Sequence, residues 1–337
     1  MVVQLRATKP TAKRRRIMAG MRPTGRMHVG HLLGALNNFI ALSEGNDCFY
    51  EIADLHALTT KFDRSREIAD DVREMVTDWL AAGLDPHKCT IYLQSHIPEL
   101  SEMWALLSMI TPVSWLERVP TYKDQINALG SEIATHGFLG YPVLQTVDIA
   151  AFKGEGVPVG QDQLPHLELC REIVRRFNHF YGAVLVEPEA ILSETPYVPG
   201  TDGRKMSKSY DNTLMLADGD AATTAKVKTM FTDPEKIRKS DPGHPETCPV
   251  FFFQQIVNGS NAASIAHRCR AGQLGCVEDK ADMAAHFNRF LAPIRERRRA
   301  LEAKPGYVDE IISEGTKRAR EIAKTTLAEV RSAMGLA

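Results

Sequence analysis

Residues 17–36 read IMAGMRPTGRMHVGHLLGAL, and this stretch decides the fold. The apolar run at its start has the length and composition of a buried β-strand. The Arg-Pro-Thr-Gly segment that follows predicts a turn. From residue 28 onward the apolar residues recur at helical spacing. We therefore expect a strand, a turn and a helix in this order.

The same alternation continues along the chain. Residues 47–59 (DCFYEIADLHALT) predict a second buried strand that ends at Asp54, and residues 65–82 predict an amphipathic helix closed by Gly83. Further strands are predicted in CTIYLQS, GEGVPVG and AVLVEP, with a helix between the last two. Parallel strands need crossover helices, so this pattern predicts an α/β fold with a Rossmann-like, doubly wound parallel sheet.

Three segments depart from the alternation. Residues 1–16 are rich in Lys and Arg, and we expect a basic tail there that precedes an α/β domain over residues 17–215. Residues of about 98–140 show helical patterns and are predicted to form a helical insertion in that domain. After residue 215 strand signals are sparse and two long helical patterns occur, which predicts a C-terminal helical domain over residues 216–337.

The composition limits the possible functions. The chain has 337 residues, 44% of them hydrophobic and 25% charged, with no apolar run long enough to cross a membrane, so we expect a soluble protein. A formal net charge of −1 argues against a uniformly basic nucleic-acid surface. The six cysteines lack a C-x-x-C pair, so neither a zinc site nor a disulfide framework is expected. The N-terminus lacks the apolar run of a secretory signal, and a cytoplasmic location is therefore predicted.

Two histidines stand where the first strand leads into the first helix. Ligands of an open parallel sheet bind beyond the carboxyl ends of its strands. The helix N-terminus offers N–H groups to an anion, Gly30 permits close approach, and His28 and His31 add donors on the same face. By itself, the pattern is equally compatible with a pair of surface or core histidines.

Two lysines stand in a turn-rich loop, PGTDGRKMSKSYDN (199–212), that follows the last predicted strand. Lys205 and Lys208 can therefore reach the same end of the sheet as the histidines. Flexible ammonium groups that close over a departing pyrophosphate stabilise the negative charge that gathers on it. Together with the histidine pair, the lysines predict a site for a nucleoside triphosphate.

HVGH, followed about 170 residues later by KMSKS, resembles the two hallmark motifs of class I aminoacyl-tRNA synthetases. Longer stretches narrow the resemblance to tryptophanyl-tRNA synthetases of the bacterial type: GMRPTGRMHVGHLLGAL, ADLHALT, LERVPTYKD, YPVLQTVDIAAF, VPVGQDQLPHLELCREIVRRFN and GRKMSKS. The resemblance implies that L-tryptophan is activated with ATP to tryptophanyl-adenylate and pyrophosphate. It also implies transfer of the acyl group to tRNA(Trp).

The resemblance implies an ATP site built from both motifs. The implied catalytic residues are His28, His31, Lys205 and Lys208. The implied ATP-binding residues are Arg22, Thr24, His28, Gly30, His31, Gly160, Asp162, Lys205, Met206, Ser207 and Lys208. No metal ligand is implied in the chain itself, because Mg²⁺ would arrive on ATP.

The resemblance also implies a pocket for tryptophan. Asp148 would accept the single N–H donor of the indole ring. Tyr141, Gln145 and Gln163 are similar to residues that hold the ammonium group of the amino acid. His56 is similar to a residue near the substrate pocket. The family resemblance further implies a homodimer and a helical domain that meets the anticodon, with the arginines of RERRR (295–299) as candidates for phosphate contact.

Two positions leave tyrosine open as the substrate. Gln145 stands where most bacterial tryptophanyl enzymes have an apolar residue, and tyrosyl-tRNA synthetases use Gln there with an Asp at the position of Asp148. Met18, by contrast, stands where tyrosyl enzymes usually place a Tyr that helps to bind the phenol. His28 and His31 replace the Thr and Asn that are common in bacterial tryptophanyl enzymes and restore the general class I form.

Two other functions are compatible with parts of the sequence. A non-aminoacylating binding or regulatory paralogue would have lost one of the two histidines or two lysines, and all four are present. A small-molecule adenylyltransferase also uses H-x-G-H, but it would lack the amino-acid side of the site and the helical C-terminal region.

Overall fold

The computed structural model describes residues 14–192 and 197–336, and within them five strands form one parallel sheet. The strands are β1 (Arg16–Met21), β2 (Asp47–Ile52), β3 (Cys89–Leu93), β4 (Gly156–Val159) and β5 (Glu189–Leu192). Their order is β3-β2-β1-β4-β5, so the direction of winding reverses between β1 and β4. A crevice for ligands is expected at the carboxyl ends of these two strands.

Helices connect the strands and follow the last of them. The first, α1, begins as Val29–His31, passes through a π-helical segment at Leu32–Leu36 and ends as Asn37–Ser43. The others are α2 (Asp54–Leu58), α3 (Ile68–Ala82), α4 (Pro98–Ser108), α5 (Val113–Glu117), α6 (Pro120–Leu129), α7 (His136–Ala150), α8 (Leu164–Tyr181), α9 (Asp220–Lys228), α10 (Pro249–Val257), α11 (Ala262–Arg270), α12 (Cys276–Glu302) and α13 (Tyr307–Ala333). None of the helices in the described ranges has the length and hydropathy needed to span a membrane.

The predicted fold class is confirmed, and the strand predictions are correct except at one place. β1 starts one residue earlier than predicted, and the predicted basic tail lies outside the described residues up to residue 13. AVLVEP (183–188) is not a strand, because its backbone N–H groups form hydrogen bonds with the side chain of Asn178 near the end of α8. Asn178 Oδ1 accepts from the N–H groups of Val184 and Leu185 at 3.1 and 3.0 Å. The last strand is therefore displaced to β5.

Each face of the sheet is covered by a hydrophobic cluster that includes helices from the C-terminal region. On one face, Met283 and Phe287 of α12 are buried with Tyr50 of β2. On the other face, Ala319 and Ala323 of α13 are buried in the same cluster as core residues of β1 and β2. The helices after residue 215 thus share their core with the sheet, and the division into domains at that residue stays a prediction.

The last helix, α13, also covers the edge of the sheet at β3. The N–H of Leu93 donates to Thr316 Oγ1 at 3.0 Å. Gly315 lies so close to the carbonyl oxygen of Ile91 that a Cβ would collide with the strand backbone. An edge strand with unpaired backbone groups invites pairing with another chain, and α13 closes this one.

The arginine run of α12 is less available to a polyanion than its sequence suggests. Arg298 is 5% exposed and pairs with Asp78, and Arg295 is 9% exposed and donates to Thr223 Oγ1 at 2.8 Å. The prediction of phosphate contacts is therefore wrong for these two residues, because their guanidinium groups are engaged inside the protein. The other two arginines of the run are exposed.

Candidate active site

The segment that begins α1 is paired with the segment that follows the lysine loop. His28 and Met215 face each other in a short antiparallel bridge. The N–H of Val29 donates to the carbonyl oxygen of Leu214 at 2.9 Å. The histidine motif and the lysine motif are therefore held together by backbone hydrogen bonds, although they lie far apart in the sequence.

The two histidines of the first motif are stacked on each other. Their ring centroids are 3.7 Å apart, and the N–H of His28 donates to His31 Nδ1 at 3.3 Å. Gly30 fits beneath this pair because it has no side chain: a Cβ there would lie 2.8 Å from His28 Nδ1. The same Cβ would lie 3.6 Å from the sulfur of Met206, which is buried over the motif. Gly30 and Met206 thus both lie against the stacked histidines.

Burial keeps both histidines neutral near pH 7. The pKa of His28 is lowered to about 3, first by burial and then by the neighbouring His31 and Lys208, and that of His31 is lowered to about 4 by burial and by the charge of Lys208. The rings therefore offer hydrogen bonds and no charge. In the part of the chain that the structure describes, His28 Nδ1 is buried and has no hydrogen-bond partner, a position that a bound ligand can satisfy.

Lys208 reaches across to the turn after β1. Its ammonium group donates to the carbonyl oxygen of Thr24 at 2.5 Å and lies 3.3 Å from the hydroxyl of the same residue. The turn has room for this approach because Gly25 has a φ of 77° and lies against Asp71. The structure thereby brings Thr24 and Lys208 into direct contact beside the two histidines.

The lysine loop is shaped by Asn212, a residue to which the sequence assigned no role. Asn212 is 1% exposed, and its Oδ1 accepts from the N–H of Ser207 at 2.8 Å. Its Nδ2 donates to the carbonyl oxygen of Lys205 at 3.1 Å. The side chain of Lys205 is exposed to solvent. A buried Asn at the end of a loop rich in turn residues is the signal that could have identified this position.

A cavity of about 360 Å³ opens at the carboxyl ends of β1, β2 and β4. Arg22, from the turn after β1, is one of the residues that line it. The five residues predicted for tryptophan also line it: His56, Tyr141, Gln145, Asp148 and Gln163. Because Arg22 lines the cavity and Thr24 contacts Lys208, the turn connects the cavity to the two motifs.

The carboxylate of Asp148 stands at the inner side of the cavity and is fixed by neighbours. Its Oδ2 lies 2.8 Å from His56 Nε2. The side-chain amide of Gln94 donates to both oxygens, at 2.9 and 3.0 Å. Asp148 is 6% exposed, so its position depends on these bonds and not on solvent. A fixed, buried acceptor suits a ligand with one N–H donor.

Two further polar side chains, those of Tyr141 and Gln163, line the cavity. The hydroxyl of Tyr141 lies 3.3 Å from His166 Nε2, a residue that the sequence did not identify. After β4, Gln163 Nε2 donates to Asp162 Oδ2 at 3.1 Å. Gly160 leaves space for this side chain, since a Cβ there would lie 2.7 Å from Asp162 Oδ1. Tyr141, Gln163 and His166 thus line the same cavity as Asp148.

The sequence also failed to identify Glu51, which lines the same cavity. Glu51 is 3% exposed and accepts a hydrogen bond from the hydroxyl of Tyr92 at 3.2 Å. Burial raises its pKa well above the usual range, and the carboxyl of Asp148 raises it further. An acidic residue within a buried strand is unusual and could have been found from the run CFYEIA alone.

Comparisons with known proteins agree with this arrangement. A family model described as "tRNA synthetases class I (W and Y)" matches residues 10–292. A tryptophan–tRNA ligase of Thermotoga maritima is 50% identical, with 95% of this chain and 99% of the relative covered, and one of Aquifex aeolicus is 44% identical, with 95% and 100% covered. The crystal structure of a Campylobacter jejuni tryptophanyl-tRNA synthetase complexed with ADP and tryptophan superimposes with a TM-score of 0.87 at 32% identity, covering 95% of this chain and 100% of that one.

Proposed function

The chain belongs to the class I tRNA synthetases of the tryptophan and tyrosine family, and we propose that its cavity binds the amino acid while the two paired motifs bind ATP. Its function is that of a tryptophan–tRNA ligase. It activates tryptophan with ATP and passes the aminoacyl group to tRNA(Trp).

One observation carries the proposal for the amino-acid site. The carboxylate of Asp148, held by Gln94 and His56, lines the same cavity as Tyr141 and Gln163. An indole N–H would donate to Asp148, and the ammonium group of the amino acid would contact Tyr141 and Gln163. Arg22 lines the same cavity, so the carboxylate of tryptophan would lie near the turn that connects the cavity to the motifs.

The proposed ATP site uses neutral and charged donors at the same place. The imidazoles of His28 and His31 donate hydrogen bonds to phosphate oxygens without adding charge. The ammonium group of Lys205 leaves solvent and that of Lys208 leaves the carbonyl oxygen of Thr24 when both bind the phosphate chain. Attack by the tryptophan carboxylate on the α-phosphate forms the P–O bond of the adenylate and breaks the bond to pyrophosphate. The lysines stabilise the charge that develops on that leaving group.

Other parts of the proposal rest on general chemistry and on the resemblance. Mg²⁺ is proposed to arrive on ATP, where it would neutralise phosphate charge, because it is commonly bound through substrate phosphates and few protein ligands. The helices after residue 215 are proposed to meet the anticodon, with the exposed arginines 297 and 299 remaining as candidates for phosphate contact. The protein is proposed to act in the cytoplasm.

We also propose that two copies form a homodimer through the turn between α4 and α5. Met109 is 78% exposed in this turn, and Val113, the first residue of α5, is 57% exposed. Beside it, the guanidinium of Arg176 stacks between Trp115 and Phe180, and Phe180 is itself 53% exposed. Several large apolar side chains grouped at one surface are typical of a protein interface.

The exchange of pyrophosphate into ATP tests the proposed roles. Wild-type protein should catalyse this exchange with tryptophan and not with tyrosine. Lys208→Ala should lower kcat for exchange, because the lysine acts on the departing phosphates. The activation free energy should rise by an amount on the order of 2–4 kcal/mol, and the affinity for tryptophan should change little. Lys317→Ala, which removes an exposed lysine paired with Glu314, is the matched control. Normal exchange by Lys208→Ala would remove this lysine from the mechanism, and exchange with tyrosine alone would overturn the choice of amino acid.

A further inference from the structure

Glu51 is part of a row of three residues that face the cavity from adjacent strands. In the parallel register of the sheet, Glu51 of β2 is the partner of Gly20 in β1 and of Tyr92 in β3. Register partners point to the same face of a sheet. All three residues line the cavity. The side chain of Glu51 thus has Tyr92 on one side and, on the other, the space above Gly20, which has no side chain.

The carboxyl group of Glu51 is fixed at both oxygens. The hydroxyl of Tyr92 donates to Oε1 at 3.2 Å. Oε2 lies over Gly20, where a Cβ would be only 3.0 Å away. Gly20 therefore provides the space in which this oxygen lies. Because Tyr92 already donates to Oε1, an acid proton on Glu51 belongs on Oε2.

Glu51 and Asp148 are both buried and line the same cavity, and a side-chain hydrogen bond between them is among the causes that raise the pKa of Glu51. Two carboxylates that share a buried site cannot both be ionised, and one of them retains a proton. The pKa of Glu51 is raised well above its usual range, first by burial, then by Asp148 and in lesser part by Asp54. Asp148 is the hydrogen-bond acceptor of the pair, since it also accepts from Gln94 and lies against His56.

We propose that Glu51 is a positioning residue for tryptophan: as a neutral carboxylic acid it donates a hydrogen bond to Asp148 and fixes the carboxylate that receives the indole N–H. This inference rests on the proposed function of the cavity. Gln94 donates to both oxygens of this carboxylate and His56 Nε2 lies 2.8 Å from Oδ2, so Gln94, His56 and Glu51 together would set the orientation in which the carboxylate meets the single N–H of the ligand.

Two substitutions of Glu51 separate this role from simple packing. Glu51→Gln keeps the shape and a hydrogen-bond donor toward Asp148, so the Kd for L-tryptophan measured by calorimetry should stay within about threefold of wild type. Glu51→Leu keeps most of the volume and removes the donor. It should raise that Kd by about tenfold or more, because a hydrogen bond to a charged group is lost. The Kd for ATP should change little in either variant. Glu189→Gln, in the strand at the far edge of the sheet, is the control for a Glu-to-Gln change.

The dependence of tryptophan binding on pH provides a second readout that a purely structural role would not produce. The shared proton leaves the pair at alkaline pH, and repulsion between the two carboxylates should then weaken binding by wild-type protein. Glu51→Gln cannot lose this proton and should show a flatter profile. The titratable groups that act on Glu51 are Asp148 of α7, Tyr92 of β3 and Asp54 of α2, and His56 of α2 lies against Asp148.

The protonated state can also be observed directly, without the leucine variant. The infrared difference spectrum between wild type and Glu51→Gln at pH 7 should contain the C=O band of a protonated carboxylic acid. Absence of that band, or equal loss of tryptophan binding in Glu51→Gln and Glu51→Leu, would overturn the proposal, as would normal binding by a folded Glu51→Leu protein. Wild-type protein that fails to exchange pyrophosphate with tryptophan would instead overturn the proposed function, so the two failures are distinguishable.

Discussion

The guanidinium of Arg298 contacts the carboxylate of Asp78, with 2.5 Å between Nη1 and Oδ1, and Asp78 has no exposed surface. The other oxygen of Asp78 accepts the N–H of Met27 at 2.6 Å. Met27 immediately precedes the stacked histidines. Through this pair, a residue of α12 supports the backbone at the start of the first motif, and the C-terminal helices contribute to the geometry of the ATP site.

Replacing Arg298 should therefore weaken both the fold and the binding of ATP. Arg298→Met leaves the carboxylate of Asp78 buried without its counter-charge, which should lower the free energy of unfolding by about 3–5 kcal/mol. Urea unfolding followed by circular dichroism measures this loss, and calorimetry should show weaker ATP binding. Arg299→Met changes an exposed neighbour on the same helix and should alter stability by no more than about 0.5 kcal/mol. Equal stability of the two variants would show that the pair does not hold the motif.

The neutral histidines predict a specific dependence of stability on pH. In the unfolded chain a histidine gains its proton near pH 6.5, whereas His28 and His31 do so only at about 3 and about 4 in the folded protein. Between these limits the unfolded state binds more protons, so the free energy of unfolding falls as the pH is lowered below 6.5 and is independent of these two groups above it. From pH 7 to pH 5 each histidine should account for about 2 kcal/mol of the loss.

Carboxyl groups also titrate in acid, so the comparison needs a variant. His28→Asn with His31→Asn removes both imidazoles and retains polar side chains of similar size. The loss of unfolding free energy between pH 7 and pH 5 should be smaller in this variant than in wild type. If both proteins lose the same amount, the histidines are protonated in the folded protein and the description of the motif as uncharged is wrong.

The exposed apolar residues at the turn between α4 and α5 predict that the protein is a dimer in solution. Light scattering after gel filtration should give twice the mass of one chain, which is 37.5 kDa. Met109→Glu combined with Val113→Glu should give the mass of a single chain, because four charges would be buried across the interface of two copies. Ile237→Glu, at an 88% exposed residue elsewhere on the surface, should leave the dimer intact. A single-chain mass for wild type at micromolar concentration would contradict the dimer.

The sequence predicts those features whose residues are close together or follow a periodic pattern. β1, its turn and α1 were predictable because strand, turn and helix signals occupy one short stretch. The cavity residues were predictable from the resemblance, and the sheet places them at the carboxyl ends of its strands. Arg298 was wrongly predicted to contact phosphate because an arginine on a helix is usually exposed to solvent, and its partner Asp78 lies 220 residues away. The strand at AVLVEP was wrongly predicted because a side-chain amide, and not a neighbouring strand, binds its backbone.

The contact between α13 and β3 also has a consequence for how the chain is made. Thr316 follows Leu93 by 223 residues, so a ribosome completes most of the chain before the helix that closes this strand is available. Until then the nascent sheet presents an open edge that can pair with a neighbouring nascent chain. A premature stop before residue 307 would make that exposure permanent. Shortened translation products of this protein should therefore enter inclusion bodies even though their strands are complete.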